Sequence, residues 1–365
     1  MPAPSLNGTS APYRFHAFDV SYFSAKVRPA LRYKGLWVDE RRADVREVLA
    51  RTGLGFIPIV VTPEGEVWQD SSDIYHRLEE RHPEPPLFPG SPVQRVAAQL
   101  VELYADEIGL IPAMHYRWGS ELGEASARAR FSAMLGSAEL GNKAADRMVK
   151  ARFAVGADPS AAAEIESHTH DLLDALSAHF ELHPFLLGGR ASLADFALMG
   201  PMDGHFFTDL VSRRLLLERA FQVVGWIERC RHPNEDQQTE WLEGDTLAPT
   251  FVEVLRVMGS DGADIFLDMV HALEAWADER PAGERELPRG LPPVRTHLRG
   301  QPIDRMPMGY ALYSLQQIQA LASALSNDER RAVDAALAGT GFEAVLAHEV
   351  RHPVEKDGFK LVFSR

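Results

Sequence analysis

Cysteine is almost missing from this chain. Cys230 stands alone among 365 residues, so no disulfide can form within the chain, and the expected setting is a reducing cytoplasm. Long apolar runs are missing too. Nothing approaches the ~20 residues that span a bilayer, and no basic-then-apolar leader opens the sequence. Basic residues are outnumbered, 38 Lys and Arg against 52 Asp and Glu, and the net charge of −14 argues against a nucleic-acid partner. Repeats and low-complexity tracts are absent. What is plentiful is apolar material, 45% of the chain, enough for the cores of two or three domains. Residues 1–12, rich in Pro and Ser, read as a loose lead.

The stretch from Phe15 to Tyr33 organises the first part. The short run Phe15-His16-Ala17-Phe18 stops at Asp19-Val20. Ser21-Tyr22-Phe23-Ser24 then opens a helix-period segment with Val27, Ala30 and Leu31 on one side. This is strand, tight turn, helix. Unpaired N–H groups and the positive dipole end at such a turn favour an anion, including a thiolate. A second strand is expected at 35–39 and a second helix at 44–51, with Val45, Val48 and Leu49 apolar. An apolar strand at 56–61 is broken by Pro58, and a hairpin turn at Pro63-Glu64-Gly65-Glu66 returns through Val67-Trp68. A third helix runs over 73–81, capped by Gln69-Asp70-Ser71-Ser72. Strands interleaved with helices argue for a mixed sheet with helices packed on it.

The Pro/Gly-rich connector 82–92 is a domain boundary. Helical periodicity runs beyond it over 93–114, with the helix expected to end near Gly109-Leu110-Ile111-Pro112, and further helices are expected at 121–135, 143–153, 161–180 and 214–231. Another starts at Ser192, which forms a capping box with Asp195. Residues 234–250 read as a polar linker. Helices follow at 251–258 and 265–277, an irregular Pro/Arg/Gly-rich stretch at 281–307, helices at 310–324 and 327–338 with Ser326 as cap, and a strand at 359–363. The expected division is 13–82, 93–233 and 240–365.

Four patterns occur in one order: S-x-x-S-x-K-V-R after the first strand, an apolar-Ile-Pro-apolar strand, Asp-Ser at a helix start, and S-L-A-D-F in an all-helical part. Together they resemble the cytosolic glutathione transferases of the serine/cysteine type over about 13–233. The resemblance implies a thioredoxin-like α/β domain followed by an all-α domain. Residues 240–365 form a mostly helical extension outside the family pattern. Ser21 falls where those enzymes touch the glutathione sulfur. Ile57, before a Pro58 that would be cis, falls where backbone groups pair with the cysteinyl unit. Asp70 and Ser71 fall on the pair that holds the γ-glutamyl end, with Asp in place of the usual Glu or Gln. Ser192 and Asp195 match a structural motif.

Each position has a plainer reading beside it. Ser21 and Ser24 could simply cap the first helix, Tyr22 is the rival hydroxyl, Pro58 could be an edge proline, and Asp70-Ser71 could be only a cap. Tyr104 and Tyr116 are candidates for an electrophile pocket or for core packing. His168, His170, His179 and His183 read as a solvated helix face. His348-Glu349-Val350-Arg351-His352 has zinc-protease spacing, but Pro353 follows at once and no third ligand is in reach, so no metal is expected. Cys230 reads as an inert thiol. The expected function is glutathione-dependent transfer to a small apolar electrophile, because serine at Ser21 cannot form a mixed disulfide. The alternatives are a non-catalytic binding or interaction module on the same fold, and a glutathione-dependent lyase, reductase or isomerase. A homodimer would follow from the family unless the extension blocks it. An extension covering the pocket would favour one narrow substrate.

Overall fold

The computed structural model of the chain describes residues 11–234, 239–281 and 283–364. The loose lead expected at 1–12 therefore lies, up to residue 10, outside the described residues, as do 235–238 of the expected linker.

The first layer is a four-stranded sheet in the order β2-β1-β3-β4. Its strands are β1 (Tyr13–Ala17), β2 (Val38–Arg42), β3 (Ile59–Val61) and β4 (Val67–Gln69). β1 runs parallel to β2 and antiparallel to β3, and β3 pairs antiparallel with β4. The parallel pair needs a crossover, supplied by α1 (Tyr22–Tyr33), which buries Val27, Ala30 and Leu31. α2 (Val45–Thr52) and α3 (Ser71–Arg81) complete the layer. β2 begins three residues later than expected, because Gly35 at φ 62 ends the α1 exit turn. In α2 only Val48 of the expected apolar trio is buried; Val45 and Leu49 face outward.

The helical part contains α4 (Pro92–Glu107), α5 (Leu110–Trp118), α6 (Glu121–Leu135), α7 (Ala138–Ala154), α8 (Ala162–Phe180), α9 (Leu193–Pro201), α10 (Leu210–Arg219) and α11 (Phe221–Arg231). The helix expected to end near Gly109–Pro112 ends at Glu107, and after Ile108 and Gly109 a second helix starts at once at Leu110. The helix expected at 214–231 is divided at Ala220. The Ser192–Asp195 capping box is present, and the buried Asp195 also accepts from Leu186 N–H and Trp226 Nε1.

The extension departs most from expectation. The two helices expected at 251–277 are one, α12 (Pro249–Asp278). Gly259 and Gly262 inside it are close-approach positions, not breaks. A Cβ at Gly259 would sit 2.2 Å from Thr340 O, and one at Gly262 would sit 3.1 Å from Ile108. The stretch expected to be irregular contains a hairpin, β5 (Val294–Leu298) and β6 (Gln301–Arg305). α13 (Tyr310–Ser323), α14 (Asn327–Ala336) with its Ser326 capping box, α15 (Glu343–Ala347) and the hairpin β7 (Val354–Asp357) and β8 (Lys360–Phe363) finish the chain. α12 packs on α8 and α4, and α13 and α14 pack on α4. The expected linker is pinned rather than loose. Leu242 N–H donates to Leu187 O, and the Asp245 carboxylate accepts from Val93 and Gln94 N–H, capping α4 from across the chain. No helix among the described residues is long and apolar enough to cross a membrane.

Candidate functional site

Strand register brings the end of β1, Pro58 and the start of α3 together at one end of the sheet's central strands. His16 pairs with Ile59, which brings the end of β1 beside Pro58. Ile59 also pairs with Gln69, which brings Asp70 to the other flank of Pro58. The β1–α1 turn with Ser21, the Ile57–Pro58 turn and the start of α3 are therefore neighbours. The Ile57–Pro58 peptide is cis. Gln69 Nε2 donates to Phe56 O at 2.7 Å and holds that loop. Among the described residues no hydrogen bond engages the Ile57 N–H or C=O, so both remain available to an extended peptide.

Ser21 is the N-cap of α1. Its hydroxyl oxygen accepts from Ser24 N–H at 3.2 Å, which leaves the O–H free to donate elsewhere. Ser24 is buried and its oxygen accepts from Phe18 N–H at 3.4 Å, so it supports the turn. The turn is gripped from the helical part by Arg117. Its Nη1 donates to Val20 O at 2.8 Å and its Nε to Asp209 at 2.6 Å. Nothing in the local sequence marked Arg117. Asp70 caps α3, accepting from Ser72 and Asp73 N–H at 3.0 and 3.2 Å. Its φ of 82 is strained for a residue with a side chain. Ser71 N–H is the first of the helix and has no partner within it. Burial pushes the Asp70 carboxyl up, while Lys356 pulls it down.

That lysine belongs to the extension, which forms a further wall of the site. Lys356 Nζ is ion-paired with Asp73 and lies 4.0 Å from Asp70 Oδ1. Tyr313 O–H donates to Asp73 at 3.3 Å. The Tyr310 hydroxyl faces Asp70. At the other end, the Arg289 guanidinium lies over the Phe56 ring at 4.1 Å.

Residues 15–86 match the family model described as the glutathione S-transferase N-terminal domain. This part of the chain belongs to the glutathione S-transferase superfamily. Similar solved structures include a glutathione S-transferase from Rhodospirillum rubrum F11, 19% identical, covering 66% of this chain and 99% of that one at a TM-score of 0.43. Another, from Methylobacterium radiotolerans in complex with glutathione sulfonate, is 20% identical and covers 64% and 99% at 0.38. A β-etherase from Sphingobium sp. strain SYK-6 is 16% identical and covers 67% and 98% at 0.41. A search of curated proteins finds no match.

The remaining candidates lie away from this end of the sheet. Tyr22 is buried; its hydroxyl donates to Ala105 O, and its ring fills the space left by Gly200, where a Cβ would meet it at 2.5 Å. It is a wedge between α1, α4 and α9. Tyr104 is core: its hydroxyl meets His168 Nε2 at 2.6 Å, and His168 Nδ1 meets Asp261 at 2.8 Å. Tyr116 is buried against Phe206. The expected solvated histidine face is corrected at His168 and His179, both buried because α12 covers α8. The H-E-x-x-H segment is not helical: α15 ends at Ala347, His348 pairs with Glu274 and His352 with Asp278. Cys230 is buried, and burial pushes its thiol well up.

Proposed function

We propose that this chain is a glutathione-dependent transferase that holds the tripeptide's sulfur as thiolate beside Ser21. The observation that supports the reading is the strand register that brings the end of β1 and the start of α3 to the two flanks of Pro58; among the described residues the Ser21 O–H, the Ile57 main-chain groups and the Ser71 N–H have no partner. Ile57, with Pro58 setting the turn, takes the cysteinyl unit, and Asp70 and Ser71 take the γ-glutamyl end.

The magnitudes suffice. A free thiol near pKa 8.5 is a few per cent ionised at neutral pH, and lowering it by about two units needs roughly 2.7 kcal/mol. A helix N-terminus contributes up to about 2 kcal/mol. A hydrogen bond to a charged group contributes about 1.5–3 kcal/mol. Ser21 can donate to sulfur without losing the Ser24 bond that orients it. The electrophile is a small apolar molecule. The extension's approach to both ends of the site favours one narrow substrate, and the lone buried Cys230 suits a reducing cytoplasm. The division into 13–82, 93–233 and 240–365 belongs to this reading.

A second reading is a non-catalytic module, favoured by the contacts of Tyr313 and Lys356 with Asp73. Thiolate absorbance against pH separates the two. The transferase binds glutathione at millimolar concentration and lowers its thiol pKa, and Ser21→Ala raises that pKa by a unit or more while leaving the fold intact. Absence of glutathione binding selects the module.

A further inference from the structure

We propose that Lys356, carried on the C-terminal hairpin, joins Asp70 and Ser71 in a subsite for the zwitterionic end of an α-amino acid. Lys356 and Ser71 take the carboxylate, and Asp70 takes the ammonium. The inference rests on the glutathione reading and adds a residue from outside the glutathione S-transferase domain.

An α-amino acid presents opposite charges on one carbon, so its recognition needs a fixed cation and a fixed anion side by side. Asp70 and Lys356 are such a pair, 4.0 Å apart, and both are reachable, with 25% and 19% of their side-chain surface exposed. An ammonium has three donors. Asp73 engages Lys356 from one side, and donors remain for a second carboxylate. The helix start adds the Ser71 N–H and hydroxyl, donors of the kind that hold a carboxylate. The Tyr310 hydroxyl is buried and faces Asp70 as its hydrogen-bond partner, which orients the carboxylate beside Lys356.

The lysine is held in place rather than poised to swing away. Gln316 bonds both main-chain groups of Val354 at 2.9 Å, two residues before it in the strand. Phe363 on the partner strand exchanges main-chain and side-chain bonds with Arg285 at 2.9 and 3.0 Å. The Tyr313 and Tyr310 rings flank the ammonium at 4.8 and 5.7 Å from their centroids. Such a group is built into a site, because displacing it would break the hairpin's anchors.

The test uses the full chain and three probes: glutathione, its analogue with γ-aminobutyrate in place of γ-glutamate (no α-carboxylate), and its glutaryl analogue (no α-ammonium). Lys356→Gln should weaken glutathione about tenfold or more and leave its bound thiol pKa unchanged. In that variant, loss of the α-carboxylate should cost little further, whereas in the parent it costs tenfold or more. Loss of the α-ammonium should stay costly in both, and Lys356→Arg should restore most of the affinity. Equal carboxylate discrimination in parent and Lys356→Gln overturns the subsite while leaving the glutathione reading standing. Tighter glutathione binding by Lys356→Gln also overturns it, since the lysine would then be an internal competitor for Asp70. If the parent binds no probe at millimolar concentration, the glutathione reading falls first and the subsite with it. Unchanged urea unfolding confirms that Lys356→Gln is folded.

Discussion

Helix α4 ends in two adjacent carboxylates, and each receives a buried cation from a different part of the chain. Asp106 takes Lys26 from α1 at 2.6 and 2.8 Å, with Glu102 at 3.4 Å. Glu107 takes Arg305 from β6, but only at 3.3 Å. Arg305 gives its better bond to Glu107 O at 2.8 Å, reaches Ala154 O at 3.3 Å, and has no partner for Nε among the described residues. At this end of α4 the sheet domain is thus held by charge matched to charge, and the extension chiefly by Arg305's recognition of main-chain carbonyls. The compact ammonium meets two acids, whereas the planar fork is shared among three acceptors. Lys26 is therefore the better-matched ion, although burial pushes both Asp106 and Glu107 up to about 7.

The largest effect should come from the first pair. Lys26→Met leaves Asp106 and Glu102 buried near each other with no cation, and breaking a buried pair costs about 3–5 kcal/mol. Urea unfolding at pH 8 should show a loss of about 5 kcal/mol, the upper end of that range because two acids are stranded. A loss no larger than that of Arg305→Met would erase the asymmetry.

Arg305→Met should cost less, about 3 kcal/mol at pH 8. It also strands only one carboxyl, on the face where the extension docks. Because Arg305 bonds Ala154 O and Glu107 O, limited proteolysis should then nick around residues 299–309 before the sheet domain opens. Simultaneous cleavage of both regions would mean that the extension and the sheet domain unfold as one unit.

What could be read beforehand follows the same division. In the sheet domain the informative signals are local: alternation in 15–18, Pro58 in an apolar strand, and Asp70-Ser71 before an amphipathic helix. The position of Lys26 in its pattern is visible, but its partners lie 76 and 80 residues away, so its burial is not. Arg117 is hidden for the same reason, 97 residues from the Val20 carbonyl it holds. In the extension the local signals mislead. Gly259 and Gly262 look like a helix break, yet they let α12 approach Thr340 and Ile108. The β5–β6 hairpin did carry a sign, since Arg299 and Gly300 at φ 50 and 82 make a tight two-residue turn between alternating Thr296, Leu298, Ile303 and Arg305. Its Pro- and Arg-rich surroundings masked the alternation. Tyr104 looks like a pocket aromatic until α8 and α12 bring His168 and Asp261 to it. The Lys356 contact with Asp73 joins residues 283 positions apart in sequence and leaves no local trace at either.

The smallest effect is the sharpest test of the Arg305 side, because it concerns a slope. Burial pushes the Glu107 carboxyl up to about 7, with Arg305 and then Lys26 opposing. Its unfolded value is about 4.3. Between those values the folded chain holds a proton that the unfolded chain has released, so stability falls as pH rises. The contribution is fully present below the unfolded pKa and is gone once the pH has passed about 7. Each pH unit within that window is worth about 1.4 kcal/mol, so roughly 2 kcal/mol should be lost from pH 5.5 to pH 7.5. Other carboxyls raised by burial, Asp106 among them, tilt the parent's curve the same way, so the informative quantity is the difference between parent and Glu107→Gln. The variant cannot titrate at this position, and its stability should decline less steeply by about that amount, whatever its absolute value. Parallel curves would mean that Arg305 keeps Glu107 ionised throughout. The contrast between the two carboxyls at this helix end would then lie in the bond geometry of Lys26 and Arg305 alone.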